Sequence, residues 1–197
     1  MIRYIKKILD IKNILGMKRG VTPPDPPRNS KELFMHSNDG SFSYTPYFTG
    51  DVNVTINEET IRLDESQSGT ELTATSSSSV VQSWIVGETY RLNIASGAPV
   101  AIVAVNDSLR QLDITTTYLR TLDLRHAVMI EEINNDNLYN TVYRLYAIAL
   151  NNTQKDICTR LINESIFNNG ELWINAEPYA ADVIAAAVAK GWTVNGL

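Results

Sequence analysis

Cysteine is almost missing from this chain, histidine is scarce, and no run of about 18 apolar residues occurs in it. The lone Cys158 excludes an internal disulfide and a multi-cysteine metal site, and its place in an apolar helical pattern reads as a buried, inert thiol. His36 and His126 are 90 residues apart, and neither has a second histidine or a cysteine at metal-ligand spacing. Each reads as a surface or hydrogen-bonded side chain, so no metal and no cofactor are expected. Without a long apolar run, nothing is expected to span a membrane. Residues 1–7 start like the charged region of a secretory signal. Asp10 and Lys12 interrupt the apolar stretch that should follow, and no small-residue cleavage site comes after, so the N-terminus reads as retained.

Positive charge is concentrated in one place. Arg3, Lys6, Lys7, Lys12, Lys18 and Arg19 stand against Asp10 in residues 1–20, a balance of +5, so the other residues carry −10 of the overall −5. An acidic body argues against nucleic acid as its ligand, because phosphate neutralisation needs clustered Lys and Arg. Within residues 1–20, Ile2, Ile5 and Leu9 give an amphipathic helical pattern, with Lys6, Lys7 and Lys12 available to its polar side. Four roles compete for such a helix: packing on its own domain, docking to another subunit, lying on a membrane, or acting as a nucleic-acid arm. Its apolar side offers only Tyr4 among aromatics, which places the membrane below docking. Pro23, Pro24, Pro26 and Pro27 then forbid helix and favour a semi-rigid extended spacer within a linker over residues 21–40. A spacer that holds the helix away from the body favours docking, so Ile2, Ile5, Lys6, Lys7, Leu9, Lys12 and the four prolines are the candidate partner-anchoring residues.

A short helical turn is predicted over residues 31–35 with Ser30 as its cap, followed by a turn at Asn38-Asp39-Gly40. From there to residue 108 the pattern becomes one of short strands, over 41–44, 51–56, 60–63, 71–74, 80–86, 89–94 and 100–105. Alternations such as Val52, Val54, Ile56 and Tyr90, Leu92, Ile94 carry them. An antiparallel, sandwich-like β-domain is the expectation for residues 41–108. Ser76, Ser77, Ser78 and Ser79 form a loop with no local base to activate a nucleophile. Glu58, Glu59, Asp64, Glu65, Glu131 and Glu132 read as solvated faces, and Asn134-Asn135-Asp136-Asn137 reads as a turn. Asn53-Val-Thr55, Asn151-Asn-Thr153 and Asn163-Glu-Ser165 match glycosylation acceptors but lack a secretory context.

Residues 109–197 repeat one apolar phrase. Its second apolar position steps from Leu112 to Leu122, Ile133 and Leu145, intervals of 10, 11 and 12, and then by 27 to Leu172. Steps that short do not accommodate a crossover to a parallel neighbour, which takes about a dozen residues or more. Taken in alternation they do, since Leu112 to Ile133 is 21 residues and Leu122 to Leu145 is 23, inside the period of about 20 to 29 that leucine-rich repeats use. Alternate phrases would then lie on a parallel sheet and on its return face. Before Leu172 the return looks helical, with Thr153 as cap and Ile157, Leu161, Ile162 and Ile166 on one face. A second helix with Pro178 in its first turn and Lys190-Gly191 at its end, together with a last strand at 192–194, is expected to cap the stack, with Trp173 and Trp192 buried there.

The phrases Leu-Arg-Gln-Leu-Asp-Ile at 109–114, Leu-Arg-Thr-Leu-Asp-Leu at 119–124, Gly-Glu-Leu-Trp-Ile-Asn at 170–175 and Ala-Val-Ala-Lys-Gly-Trp-Thr-Val at 187–194 resemble the irregular leucine-rich-repeat proteins of gut bacteria and of their tailed, crAss-like phages. The resemblance covers the C-terminal half. The fold expected from the whole reading is α+β: an N-terminal helix over 1–20, a proline-rich spacer, the antiparallel β-domain, then a short irregular leucine-rich-repeat region with a helical cap. The expected role is non-enzymatic. It is that of a phage virion component, a head or tail decoration or fibre-type protein that forms a homo-oligomer, anchored by its N-terminus with the body projecting outward. The alternative is a bacterial leucine-rich-repeat interaction protein of the cytoplasm or cell surface that binds a partner protein or glycan.

Overall fold

The computed structural model describes residues 31–38, 40–76, 80–97, 101–114, 119–135 and 141–196. The N-terminal helix and the proline spacer expected over residues 1–28 lie outside them. Strand takes 51% of the described residues and helix 18%, so the chain is mostly β, not the α+β of separate parts read from the sequence.

Among the described residues, twelve strands form one mixed sheet: β1 Lys31–Ser37, β2 Ser41–Ile56, β3 Glu59–Leu63, β4 Leu72–Thr75, β5 Val81–Gly97, β6 Ala101–Asn106, β7 Gln111–Ile114, β8 Thr121–Asp123, β9 Glu132–Asn135, β10 Arg144–Tyr146, β11 Glu171–Ile174 and β12 Thr193–Gly196. The two α-helices of the described residues, α1 Asn152–Glu164 and α2 Ala180–Lys190, interrupt the strands near the C-terminus. Along the sheet the order is β12-β11-β10-β8-β6-β1-β5-β2-β3, with β4 beside β2, β7 beside β5 and β9 beside β7. The expected separate sandwich is therefore corrected. Its antiparallel strands continue into the parallel ones, and β1 and β5 do the joining.

Residues 31–35 belong to β1, a strand and not a helical turn. The strand lies between β5 and β6, antiparallel to both. Leu33 and Met35 enter the main core while Phe34 is buried on the opposite face, so a strand covered on both sides shows no apolar-polar alternation. Strand β5 does two jobs along one edge. Its first half pairs antiparallel with β1, and Arg91, Leu92, Asn93 and Ile94 pair parallel with β7. Gly87 sits where the edge changes partner, at φ +149, and a Cβ there would come within 2.5 Å of Val52 Cγ1. Asn106 donates its side-chain amide to the Gly87 carbonyl at 3.0 Å and so ties the end of β6 to the fork.

Beyond the fork two parallel ladders grow in step. One is β6, β8, β10, β11 and β12; the other is β5, β7 and β9. The chain alternates between them, which is why steps of 10 to 12 residues suffice. The alternate phrases meet in register: Leu92 with Leu112 and Leu112 with Ile133 on one ladder, Ile102 with Leu122, Leu145, Leu172 and Val194 in turn on the other. These side chains fill one core that runs from Leu33 to Trp192.

After β10 the second ladder gives way to helices. α1 turns Ile157, Cys158, Leu161 and Ile162 into the core, and α2 adds Ala180, Val183 and Ala187. Asn151, not Thr153, is the N-cap of α1, its side chain accepting from the Gln154 N–H at 2.9 Å. Gly191 ends α2 at φ +82. The helical cap is a second correction, because both helices are return segments that feed the next parallel strand, and the sheet ends on the strand β12. Of the two tryptophans expected together, Trp192 is in the core. Trp173 points to the opposite face.

Candidate interaction face

The strands of the first ladder present alternate residues to a face turned away from the main core. Cross-strand register aligns Trp84 of β5, Phe34 of β1, Val103 of β6, Asp123 of β8, Tyr146 of β10 and Trp173 of β11 in one row. Phe34, Val103 and Tyr146 form an apolar cluster of their own, joined by the half-buried Trp84 and Trp173. Phe34 meets Trp84 edge to face with ring centres 5.5 Å apart, and Tyr146 stacks on Trp173 at 5.8 Å and 21°.

A buried ion pair sits in the middle of this row. Asp123 and Arg125 are 1% and 7% exposed, and the Arg125 Nη2 donates to Asp123 Oδ2 at 2.6 Å while its Nε donates to Oδ1 at 3.0 Å. The guanidinium lies 4.8 Å from the centre of the Tyr146 ring. Burial pushes the Tyr146 hydroxyl up to about 12, so it stays protonated. Two strand positions away runs a more polar row of Gln82, His36, Ala101, Thr121, Arg144 and Glu171, where Arg144 Nε donates to Glu171 at 2.8 Å. Burial lowers the pKa of His36 in spite of its hydrogen bond to Asn38. Three ring nitrogens on this face, Trp84 Nε1, Trp173 Nε1 and His36 Nδ1, are buried without a hydrogen-bond partner among the described residues.

The second ladder carries different chemistry on its outer side. Asp113 of β7 accepts from Arg91 of β5 at 2.7 Å, from Asn134 of β9 at 2.9 Å and from Gln111 at 2.9 Å. Burial raises its pKa, but these donors outweigh it and the carboxyl ends below its usual range. Arg91 also lies over the Tyr47 ring at 5.1 Å. This side is a strand-to-strand polar clamp.

The candidate anchoring residues Ile2, Ile5, Lys6, Lys7, Leu9, Lys12, Pro23, Pro24, Pro26 and Pro27 lie outside the described residues. Among the described residues no three His, Cys, Asp or Glu side chains group as metal ligands, and no helix is long and apolar enough to cross a membrane. The Cys158 thiol is buried and donates to the Ile148 carbonyl at 3.3 Å, and burial pushes it up to about 12. The aromatic row escaped the sequence reading because its members come from six strands and share no local motif. Only the odd placement of Trp173 and Tyr146, each one residue after a core leucine, signalled a second buried face. The chain matches no protein-family model, no curated protein and no solved structure, so the comparisons identify neither a leucine-rich-repeat nor a phage family.

Proposed function

We propose that the chain is a non-enzymatic structural or binding protein, a component of a phage particle whose sheet body is a rigid surface built to hold its shape. What supports this reading is how the charged side chains between strands are used: Asp113 clamps β5, β7 and β9, Asp123 holds Arg125 under Tyr146, and Arg144 reaches Glu171 on the next strand. Groups committed to neighbours in this way stiffen a scaffold and are poor acids, bases or nucleophiles. The particle assignment draws on the repeated phrases of residues 109–194. Mass spectrometry of phage particles, purified and washed in high salt, tests it. The chain should be retained at a fixed ratio to the capsid proteins. Its presence in the host lysate alone would overturn the assignment and favour a bacterial interaction protein that binds a partner protein or glycan.

A further inference from the structure

The two ends of the sheet are finished differently. At one end β3 carries the exposed Glu59 and Arg62, and Arg62 donates to Asp51 on β2. Charges on an edge strand keep further strands from adding to it. At the other end β12 holds no charge and no proline, and its register with β11 is unbroken. Among the described residues no strand pairs with its outer edge, and Thr193 and Gly196 are exposed. A Cβ added at Gly196 would meet nothing within 4 Å. The Thr193 N–H donates toward β11, to the Gly170 carbonyl at 2.9 Å, so strand alternation turns the N–H and C=O of Val194 outward. The core row also stops there: Leu122, Leu145 and Leu172 are wholly buried, whereas Val194, next in register, is half-buried.

The helix beside this edge has an unfinished side too. α2 turns Val183 and Ala187 into the core, and Lys190 reaches α1, its Nζ donating to the Asn163 carbonyl at 3.0 Å. At about 3.6 residues per turn, Ala181, Ile184 and Val188 then lie on the flank turned away from α1, toward the free edge of β12. That flank has no charge, and Val188 is 62% exposed, the largest value among the described large apolar side chains. We infer that this open end is an interface between two copies of the chain: β12 adds antiparallel to β12 of the second copy across a two-fold axis, and the two α2 helices meet along this flank. In a two-fold each patch meets its own copy, so one operation satisfies both strand edge and helix flank. Val194 of each copy exchanges N–H to C=O bonds with Val194 of the other, and the apolar row runs on from one core into the next. The helices lie antiparallel, which sets each end of one helix dipole beside the opposite end of the other. Head-to-tail stacking would instead bring Glu59 and Arg62 of β3 against an edge that offers no counter-charge.

Analytical ultracentrifugation of the full chain over a wide concentration range, with amide hydrogen exchange read by NMR, tests the inference. The parent should sediment as a dimer, and the Val194 amide, which points away from β11, should exchange slowly in that dimer. Val188→Lys, at an exposed position, should leave the circular dichroism spectrum unchanged, weaken the dimer by about tenfold or more and speed exchange at Val194. Val194→Pro removes only the edge-facing N–H, leaves the ladder to β11 intact and should weaken the dimer as well. A parent that stays monomeric at every concentration would overturn the inference, and so would a dimer that neither variant weakens. Oligomers that lengthen with concentration would overturn the two-fold in favour of head-to-tail stacking. Should a variant lose its dichroism signal, exchange in the parent decides: protection of Val194 that rises with concentration supports the inference, and protection that is absent or independent of concentration overturns it. None of these readouts involves particles, so the outcome is separable from that of the functional reading.

Discussion

Asp123 is one carboxylate held by three donor atoms of one neighbour, the Arg125 backbone N–H at 3.1 Å, Nε at 3.0 Å and Nη2 at 2.6 Å. Both side chains are almost wholly out of water. Such a pair gives little net stability over an apolar pair of the same volume, but removing one charge leaves the other desolvated. Asp123→Asn should therefore cost about 3 to 5 kcal/mol in urea unfolding, and a loss below about 1 kcal/mol would show that the guanidinium finds equivalent compensation elsewhere. His36 acts in the opposite sense, as a side chain that the fold prefers neutral. Its folded pKa is lowered from the ordinary 6.5, mainly by burial, so the unfolded chain binds the extra proton first as pH falls. Its contribution is present above about pH 6.5 and is lost as pH drops through the folded value. His36→Gln should flatten the stability-against-pH curve between neutral pH and about pH 5. An unchanged slope there would place the acid sensitivity on other groups.

Among the elements, β11 and the turn before β12 show how close packing fixes the end of the stack. Trp192 is 4% exposed, its Nε1–H donates to the Phe167 carbonyl at 2.8 Å, and its ring presses on Gly170. A Cβ on residue 170 would come within 2.4 Å of Trp192 Cε2 and 2.7 Å of the Tyr143 carbonyl oxygen, so only glycine fits. Trp192→Ala should cost about 3 to 5 kcal/mol, which at about 2 to 4 °C per kcal/mol for a chain of this size lowers the melting temperature by about 10 °C. A melt within a degree or two of the parent would remove Trp192 from the core. This placement was legible because the tryptophan follows a helix-ending Lys190-Gly191. The register of the ladders was legible for a similar reason: Leu112 and Ile133, or Leu122 and Leu145, recur at the spacing that a two-sided stack requires. Strand β1 was not. Leu33, Phe34 and Met35 are three apolar residues in succession, and a short apolar run does not reveal its period. Nor was the length of two strands: the pairs of short strands expected over 41–44 and 51–56 and over 80–86 and 89–94 are single strands, β2 and β5, that run on through Gly50 and Gly87.

At the scale of the molecule, the question is whether the antiparallel and parallel halves stand alone. The sequence shows a change of pattern near residue 108, which by itself suggests a boundary. Strand pairing suggests the reverse. β5 gives one half of the same edge to β1 and the other to β7, and β6 lies between β1 and β8, so each half borrows strands from the other. The core is also continuous, with Leu33 and Ile85 in the same cluster as Leu145 and Leu172. Separating the halves would expose the flanks of Ile102 and Leu92 and strip ladder bonds from β5 and β6, costs that no single half recovers. Guanidinium unfolding should then be one cooperative transition, with far-ultraviolet circular dichroism and tryptophan fluorescence giving coincident midpoints. The tryptophans make the comparison informative, because Trp84 reports on the antiparallel part and Trp173 and Trp192 on the parallel part. In a Trp84→Phe variant, fluorescence reports the parallel part alone, and its midpoint should still match that of dichroism. Two separated midpoints would mean that the fork at Gly87 is a hinge between independently stable units, and the shared strands would have to be read as a late docking contact.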